Sequence, residues 1–115
     1  MITYKTLIKE VKNLFPNLNY DSFFEDEPMI FMSNFIDFIN NTIKNEDLVL
    51  LKEQMEFIDV LINSKDQDIQ IIVDDMAIGA FDKSIYPNLR DNLSQNAKKR
   101  FDSVIEVWKK GNKLI

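Results

Sequence analysis

The stretch PMIFMSNFIDFINNTIK, residues 28–44, decides the fold of this 115-residue chain. Nine of its residues are large and apolar, and five of the polar ones recur at intervals of three and four: Ser33, Asp37, Asn40, Asn41 and Lys44. On a helix those polar residues form one narrow stripe, so most of the circumference is apolar. Such a helix needs cover on several sides. We therefore predict an all-α bundle of about five helices around a central helix over residues 28–44.

The same kind of spacing predicts the first helix, and residues 1–115 are expected to form one domain. Apolar residues fall on one helical face over residues 4–15, with Thr3 as the N-cap and Pro16 as the end of the helix. Residues 17–27 are interpreted as a connector whose aromatic side chains reach the core. The acidic residues at its end, directly before Pro28, favour the start of the central helix there.

Two further helices follow the central one. The third is predicted to start at Asn45, with two acidic residues in its first turn, and to end near Asn63. The fourth is predicted over residues 67–82, with Asp66 as its N-cap. The inward face of the fourth helix has regular helical spacing and consists of Ile69, Ile72, Val73, Met76, Ala77 and Ala80.

The C-terminal part of the chain is expected to hold one loop and one helix. Residues 83–89 contain Pro87 and are predicted to be a loop. The last helix is predicted to start at Asp91 or Ser94 and to end at Lys110, with Gly111 just past the end. Its inward face is expected to include Trp108 as a core anchor.

The composition argues against catalysis. The chain has no Cys, no His and only two Gly, which excludes thiolate chemistry and Gly-rich phosphate loops and removes the commonest general base. The adjacent acids Asp74 and Asp75 diverge by about 100° on a helix, so they cannot chelate one ion together. Glu56 and Asp59 share a face, but known di-iron sites on helices also need His. We therefore predict no enzyme activity, no metal and no cofactor.

The charge is unevenly distributed. Residues 1–89 carry a net charge of −9 and residues 90–115 a net charge of +4, for −5 overall. Phosphate repulsion disfavours nucleic-acid binding by the acidic part, and the basic part is expected to complement the acidic body of the same domain. The first residues lack the apolar run of a signal peptide, so a cytoplasmic location is expected, with no membrane partner. Abundant Ile, Asn and Lys with scarce Ala and Arg indicate an AT-rich, bacterial genome.

The outer face of the predicted fourth helix is unusual, because two isoleucines lie one above the other among four aspartates. Apolar anchors surrounded by charge are typical of a protein interface. The alternative is that another part of this chain, such as the basic last helix, covers this face. The candidate partner-binding residues are Asp68, Ile71, Asp74, Asp75, Ile78 and Asp82, extended by Glu53 and Glu56.

A resemblance adds to this interpretation. A short helix ending in FP is followed by a very apolar helix, then by EQMEFIDVLINSKDQDIQIIVDDMAIGAFDKS (residues 53–84) and a Lys-rich helix with VIEVW. This order resembles small, acidic, all-helical bacterial proteins of unassigned function, and more loosely the immunity proteins of polymorphic and contact-dependent toxin systems. The resemblance implies a cytoplasmic inhibitor that binds one cognate toxin domain. That domain is expected to be basic, and this chain is expected to be a monomer or weak homodimer. The alternative is a regulatory or scaffold module that self-associates through the same face.

Overall fold

The structure, a computed structural model, describes residues 2–16, 18 and 27–113, the last two of them by their backbone only. Within these residues the chain is all-α, as predicted. The six helices are α1 (Leu7–Leu14), α2 (Pro28–Lys44), α3 (Leu48–Ile62), α4 (Gln67–Asp82), α5 (Tyr86–Arg90) and α6 (Gln95–Lys113). The predicted connector at residues 17–27 lies almost wholly outside the described residues.

The central helix occupies the predicted residues and is covered on several sides. α2 contacts α1, α3, α4 and α5. Its fully buried apolar side chains are Phe31, Met32, Phe35, Ile36 and Ile39. Near its middle, Phe35 belongs to an aromatic cluster with ring centroids 5.4 Å from Phe15 and 5.6 Å from Phe57, in the tilted arrangements that aromatic pairs prefer. The cluster joins α2 to α3 and to the end of α1.

One buried polar pair lies between α2 and α3. Gln54, which is fully buried, donates from Nε2 to Thr42 Oγ1 at 2.9 Å. Thr42 in turn donates from its hydroxyl to the Phe38 carbonyl at 2.9 Å. The other amide atom, Gln54 Oε1, has no hydrogen-bond partner within the described part of the chain. Leaving such an acceptor unsatisfied in the core costs stability.

The starts of α4 and α6 agree with the predictions made from the sequence. Asp66 accepts the Asp68 backbone N–H at 2.9 Å, and its other oxygen accepts the Tyr4 backbone N–H at 2.8 Å. The hydrogen bond from Tyr4 lowers the pKa of Asp66 below its ordinary value. Ser94 Oγ accepts the Ala97 backbone N–H at 3.2 Å at the start of α6, so of the two predicted starts Ser94 is confirmed. All six predicted core residues of α4 are buried.

Two predicted helix starts were wrong. The N-cap of α1 is Thr6, not Thr3, and the Thr6 hydroxyl oxygen accepts the Thr3 backbone N–H at 3.0 Å instead of capping the helix. Asn45 is the C-cap of α2 and does not start α3. Asp47 is the N-cap of α3, since its carboxylate accepts the Leu50 backbone N–H at 3.1 Å.

Three further predictions on the C-terminal part were wrong. The predicted loop over residues 83–89 contains most of α5, because Pro87 occupies the first turn of that helix, where a missing N–H is tolerated. The last helix does not end at Lys110, and Gly111 lies inside it. Trp108 is not a core anchor, since 37% of it is exposed.

Candidate protein-binding groove

An open groove of about 780 Å³ lies between α4 and α6. We call it the α4–α6 groove, and its lining residues are Asp74, Ile78, Arg100, Ser103, Val104, Val107, Trp108 and Gly111. α4 contributes two of them, one turn apart, and α6 contributes the rest from one face. The groove is mostly apolar at its centre, with charged groups at Asp74 and Arg100.

The apolar residues of the groove are accessible. Val107 is 69% exposed and Trp108 is 37% exposed. Every α6 residue from Glu106 to Gly111 is exposed, because the second half of this helix has few neighbours on its outer side. Adjacent apolar residues of this size, exposed beside the half-buried Ile78, mark a surface that is suited to contact another molecule.

Arg100 fixes one end of the groove. Its Nη2 donates to Asp74 Oδ1 at 2.7 Å, and its Nη1 donates to Gln70 Oε1 at 2.8 Å. α6 packs on the core through the buried Ala97, Phe101 and Ile105. The bonds of Arg100 and the Lys109 ammonium, 5.0 Å from the ring centroid of Phe81, add contacts between α6 and α4. Because the contacts advance along both helices together, α6 runs in the same direction as α4. The Arg100–Asp74 ion pair gives one contact of the expected kind between the basic last segment and the acidic body.

The two adjacent acids of α4 have different environments. Asp74 pairs with Arg100, whereas no hydrogen bond of the half-buried Asp75 side chain occurs among the described residues. Burial raises the pKa of Asp75 above its ordinary value, and the positive charge of Lys83 acts in the opposite direction. Lys83 itself bonds to α2, with Nζ 2.7 Å from Ser33 Oγ and 3.1 Å from Asp37 Oδ2. The positive charge of Lys83 therefore offsets only part of the cost of burying the Asp75 carboxylate.

The structure brings two of the predicted partner-binding residues together in the groove, Asp74 and Ile78. Ile71 lies outside the groove and is 54% exposed. Asp68 and Asp82, at the two ends of α4, are also exposed. The last helix thus covers the Asp74 side of this face in part and leaves Ile71 open, so each of the two alternatives raised by the sequence describes part of the surface.

Glu53 and Glu56 lie in a different place. Both line a second groove, of about 250 Å³, between α1 and α3. We call it the α1–α3 groove, and its lining residues are Leu14, Phe15, Glu53, Glu56, Phe57 and Val60. These two glutamates therefore do not extend the α4–α6 groove.

Sequence reasoning missed Val107 and gave Trp108 the wrong environment. The sequence did contain one indication, because Val107 and Trp108 are adjacent. Neighbouring residues of a helix point about 100° apart around its axis, so burying both side chains requires other helices over a wide part of the surface. α4 runs beside α6 as far as Phe81 and Lys109 but leaves Val107 and Trp108 exposed. No pattern in the sequence indicates how much of a helix face its neighbour covers.

The remaining polar groups of this region stabilise helices. Asp59 accepts a hydrogen bond from the Ser94 hydroxyl at 2.6 Å, whereas its neighbour Glu56 is exposed.

No group of three or more carboxylates suited to hold a metal ion occurs within residues 2–16, 18 and 27–113. No helix in the same residues has the length and apolar character that crossing a membrane requires.

Comparisons of the chain with protein-family models, with curated proteins and with solved structures found no match.

Proposed function

We propose that this protein is a non-enzymatic binding protein, an immunity protein that binds a cognate bacterial toxin domain in the cytoplasm and neutralises it. The observation that supports the proposal best is the exposure of Val107 and Trp108 beside Ile78 in the α4–α6 groove. Trp is enriched among the residues that dominate binding energy, and such residues lie in pockets from which a partner excludes water. The groove and the neighbouring Ile71 form the proposed contact surface.

Charge supports a basic partner. The chain carries a net charge of −5, and α4 presents exposed Asp68 and Asp82 beside the groove. A positive group of the partner near Asp75 would offset the burial of that carboxylate. Opposite charges on two proteins also accelerate their association, which suits an inhibitor that has to act before its toxin does.

Self-association is the second candidate, and the charges of α4 and α6 support it. α4 carries acids, whereas α6 carries the exposed lysines Lys99 and Lys110, of which Lys110 also pairs with Glu106 of the same helix at 3.2 Å. A twofold axis would place the acidic helix of one copy against the basic helix of the other, as an isologous interface requires. Analytical ultracentrifugation separates the candidates. A monomer at micromolar concentration favours a dedicated partner, and a stable dimer that Val107→Asp dissociates favours self-association.

The immunity function is tested by growth protection. The gene beside the one for this chain is cloned where it encodes a large protein with a separate C-terminal domain, and that domain is expressed with and without this chain. We expect the domain to arrest growth and this chain to restore it. The purified pair should form a complex in size-exclusion chromatography. A domain whose toxicity this chain leaves unchanged contradicts the proposal.

The chain offers a matched control for the binding surface. Val107 and Val49 are both exposed valines on helices, at 69% and 74%, but only Val107 lines the groove. Val107→Asp is expected to abolish protection while the protein stays folded, whereas Val49→Asp is expected to keep it. Equal protection by both variants would place the contact surface elsewhere.

A further inference from the structure

The α1–α3 groove has an apolar interior that is open to solvent. Leu14 and Val60 form its walls and are 51% and 50% exposed. Phe15 and Phe57 lie beneath them, almost completely buried, with ring centroids 5.6 Å apart. At about 250 Å³ the groove is below the roughly 300–1,000 Å³ that is usual for small-molecule sites. Its size suits one long side chain and not a helix.

Two carboxylates accompany these apolar walls. Glu53 and Glu56 lie three residues apart on α3, so they share a face of the helix. Both are exposed, and neither forms an ion pair or a hydrogen bond among the described residues. Among the described residues, the lining includes no cation. A positive group placed between the two carboxylates would therefore meet no competing charge from the lining.

We propose that the α1–α3 groove binds a single arginine side chain of a basic partner protein, an inference that rests on the proposed function. The aliphatic stem of an arginine packs against walls such as Leu14 and Val60, while its head stays at the charged rim. The planar guanidinium has five donors, so it can bond to both glutamates at once. A lysine ammonium is a compact, strongly hydrated charge and is less suited to bridge two carboxylates over apolar walls.

The site is distinct from the α4–α6 groove. That groove is about three times larger, and its own carboxylate at Asp74 is already paired with Arg100. The α1–α3 groove instead has a small interior and two carboxylates that form no ion pair among the described residues. A partner that places an apolar segment in the first groove and an arginine in the second would be recognised at two places, which adds specificity to affinity.

The test uses a peptide probe and needs no toxin. The labelled full chain is titrated with the blocked tripeptide Gly-Arg-Gly, and chemical shifts are followed by NMR. We expect saturable shifts at the methyl groups of Leu14 and Val60. The same peptide with citrulline, which is neutral and nearly the same shape, should give none. The Glu53→Gln/Glu56→Gln variant should bind the arginine peptide at least roughly threefold more weakly, since two exposed charge contacts are lost.

A second double variant controls for general attraction. Glu46→Gln/Asp91→Asn removes the same charge from exposed positions outside both grooves and is expected to leave peptide binding unchanged. Equal weakening by both double variants, or the absence of saturable shifts at Leu14 and Val60, overturns the inference. A Gly-Lys-Gly peptide that binds as tightly as the arginine peptide overturns the preference for arginine. Growth protection does not enter this test, so failure here and failure of the immunity function are distinguishable.

Discussion

Gln70 and Arg100 join three helices through one pair of polar groups. The Gln70 amide donates from Nε2 to the carbonyl of Leu61 at 3.1 Å and to that of Ser64 at 2.7 Å, at the end of α3. Its Oε1 accepts from Arg100 Nη1 at 2.8 Å, so the same α4 side chain reaches α6. Because Arg100 also bonds to Asp74, one guanidinium links α6 to two residues of α4.

Replacing that guanidinium should destabilise the protein. Arg100→Met is expected to lower the free energy of unfolding by about 1–2 kcal/mol, since charge-assisted bonds are lost and partial exposure reduces their value. Arg100→Lys should recover only part of the loss, because an ammonium cannot span Gln70 and Asp74 as the planar fork does. Urea unfolding measures both. Lys99→Met, a change of charge at the neighbouring exposed position, should stay within about 0.5 kcal/mol of the parent.

The buried Thr42–Gln54 pair should behave non-additively. Thr42→Val alone removes the partner of a buried amide and is expected to cost about 1–3 kcal/mol. Gln54→Leu in the same chain removes the amide together with its unsatisfied oxygen, so the double variant should be about as stable as the parent or more stable. Thermal unfolding of the two single variants and the double one gives the coupling energy. Simple addition of the two single effects would contradict this account.

Gly79 weakens α4 without a packing reason. A Cβ built at this position meets no atom of the described residues within 4 Å, which argues against close helix packing as the reason for the glycine. Gly79→Ala is therefore expected to raise the free energy of unfolding by about 0.5–1 kcal/mol, because the unfolded chain loses freedom. Gly111→Ala is the comparison, since its surroundings are equally open but it lies in the last turn of α6. Its gain should be smaller in the same denaturation experiment.

Asp102 should make stability depend on acid pH. Arg90 donates to it from Nη2 at 2.9 Å and Tyr86 from its hydroxyl at 2.6 Å. The bond from Arg90 is the largest cause of a pKa below the ordinary value of 3.8. A lowered folded pKa stabilises the protein above the unfolded pKa, and this contribution is lost as the pH falls through the folded value.

Asp102→Asn tests this pH dependence. The variant should be less stable than the parent by about 1 kcal/mol at neutral pH, a modest value because the carboxylate is partly exposed. The difference should shrink as the pH falls below about 4, where the parent also loses the charge. Unfolding midpoints measured between neutral and acid pH show this convergence. A stability difference between parent and variant that grows as the pH falls would contradict a stabilising role of the ionised Asp102 carboxylate.

The sequence correctly predicted the helix starts that depend on a nearby proline or capping side chain. α2 begins at Pro28, and α4 begins after Asp66, as expected, because a proline in the first turn and a capping carboxylate act within a few residues. Thr3 and Asn45 were equally plausible caps by residue type. They failed because the choice among neighbouring cap residues depends on backbone geometry, which in these places selects Thr6 and Asp47.

The candidate site was predicted only in part, and the reason is tertiary. Helical spacing correctly placed Ile71 and Ile78 away from the inward face of α4. It could not indicate that α6 would pack beside Ile78 and leave Ile71 exposed. Trp108 has the spacing of a core residue, but α4 passes beside this part of α6, at Phe81 and Lys109, without covering Val107 or Trp108. Periodicity determines direction around a helix and carries no information on how much of that face a neighbouring helix covers.

Trp108 is the only tryptophan of the chain, and it lies in the α4–α6 groove instead of the core. Its intrinsic fluorescence therefore reports mainly on that groove. Any molecule that enters and displaces water from the indole should shift the emission to shorter wavelength, without a label. Fluorescence of the unlabelled protein can therefore detect binding at the proposed contact surface.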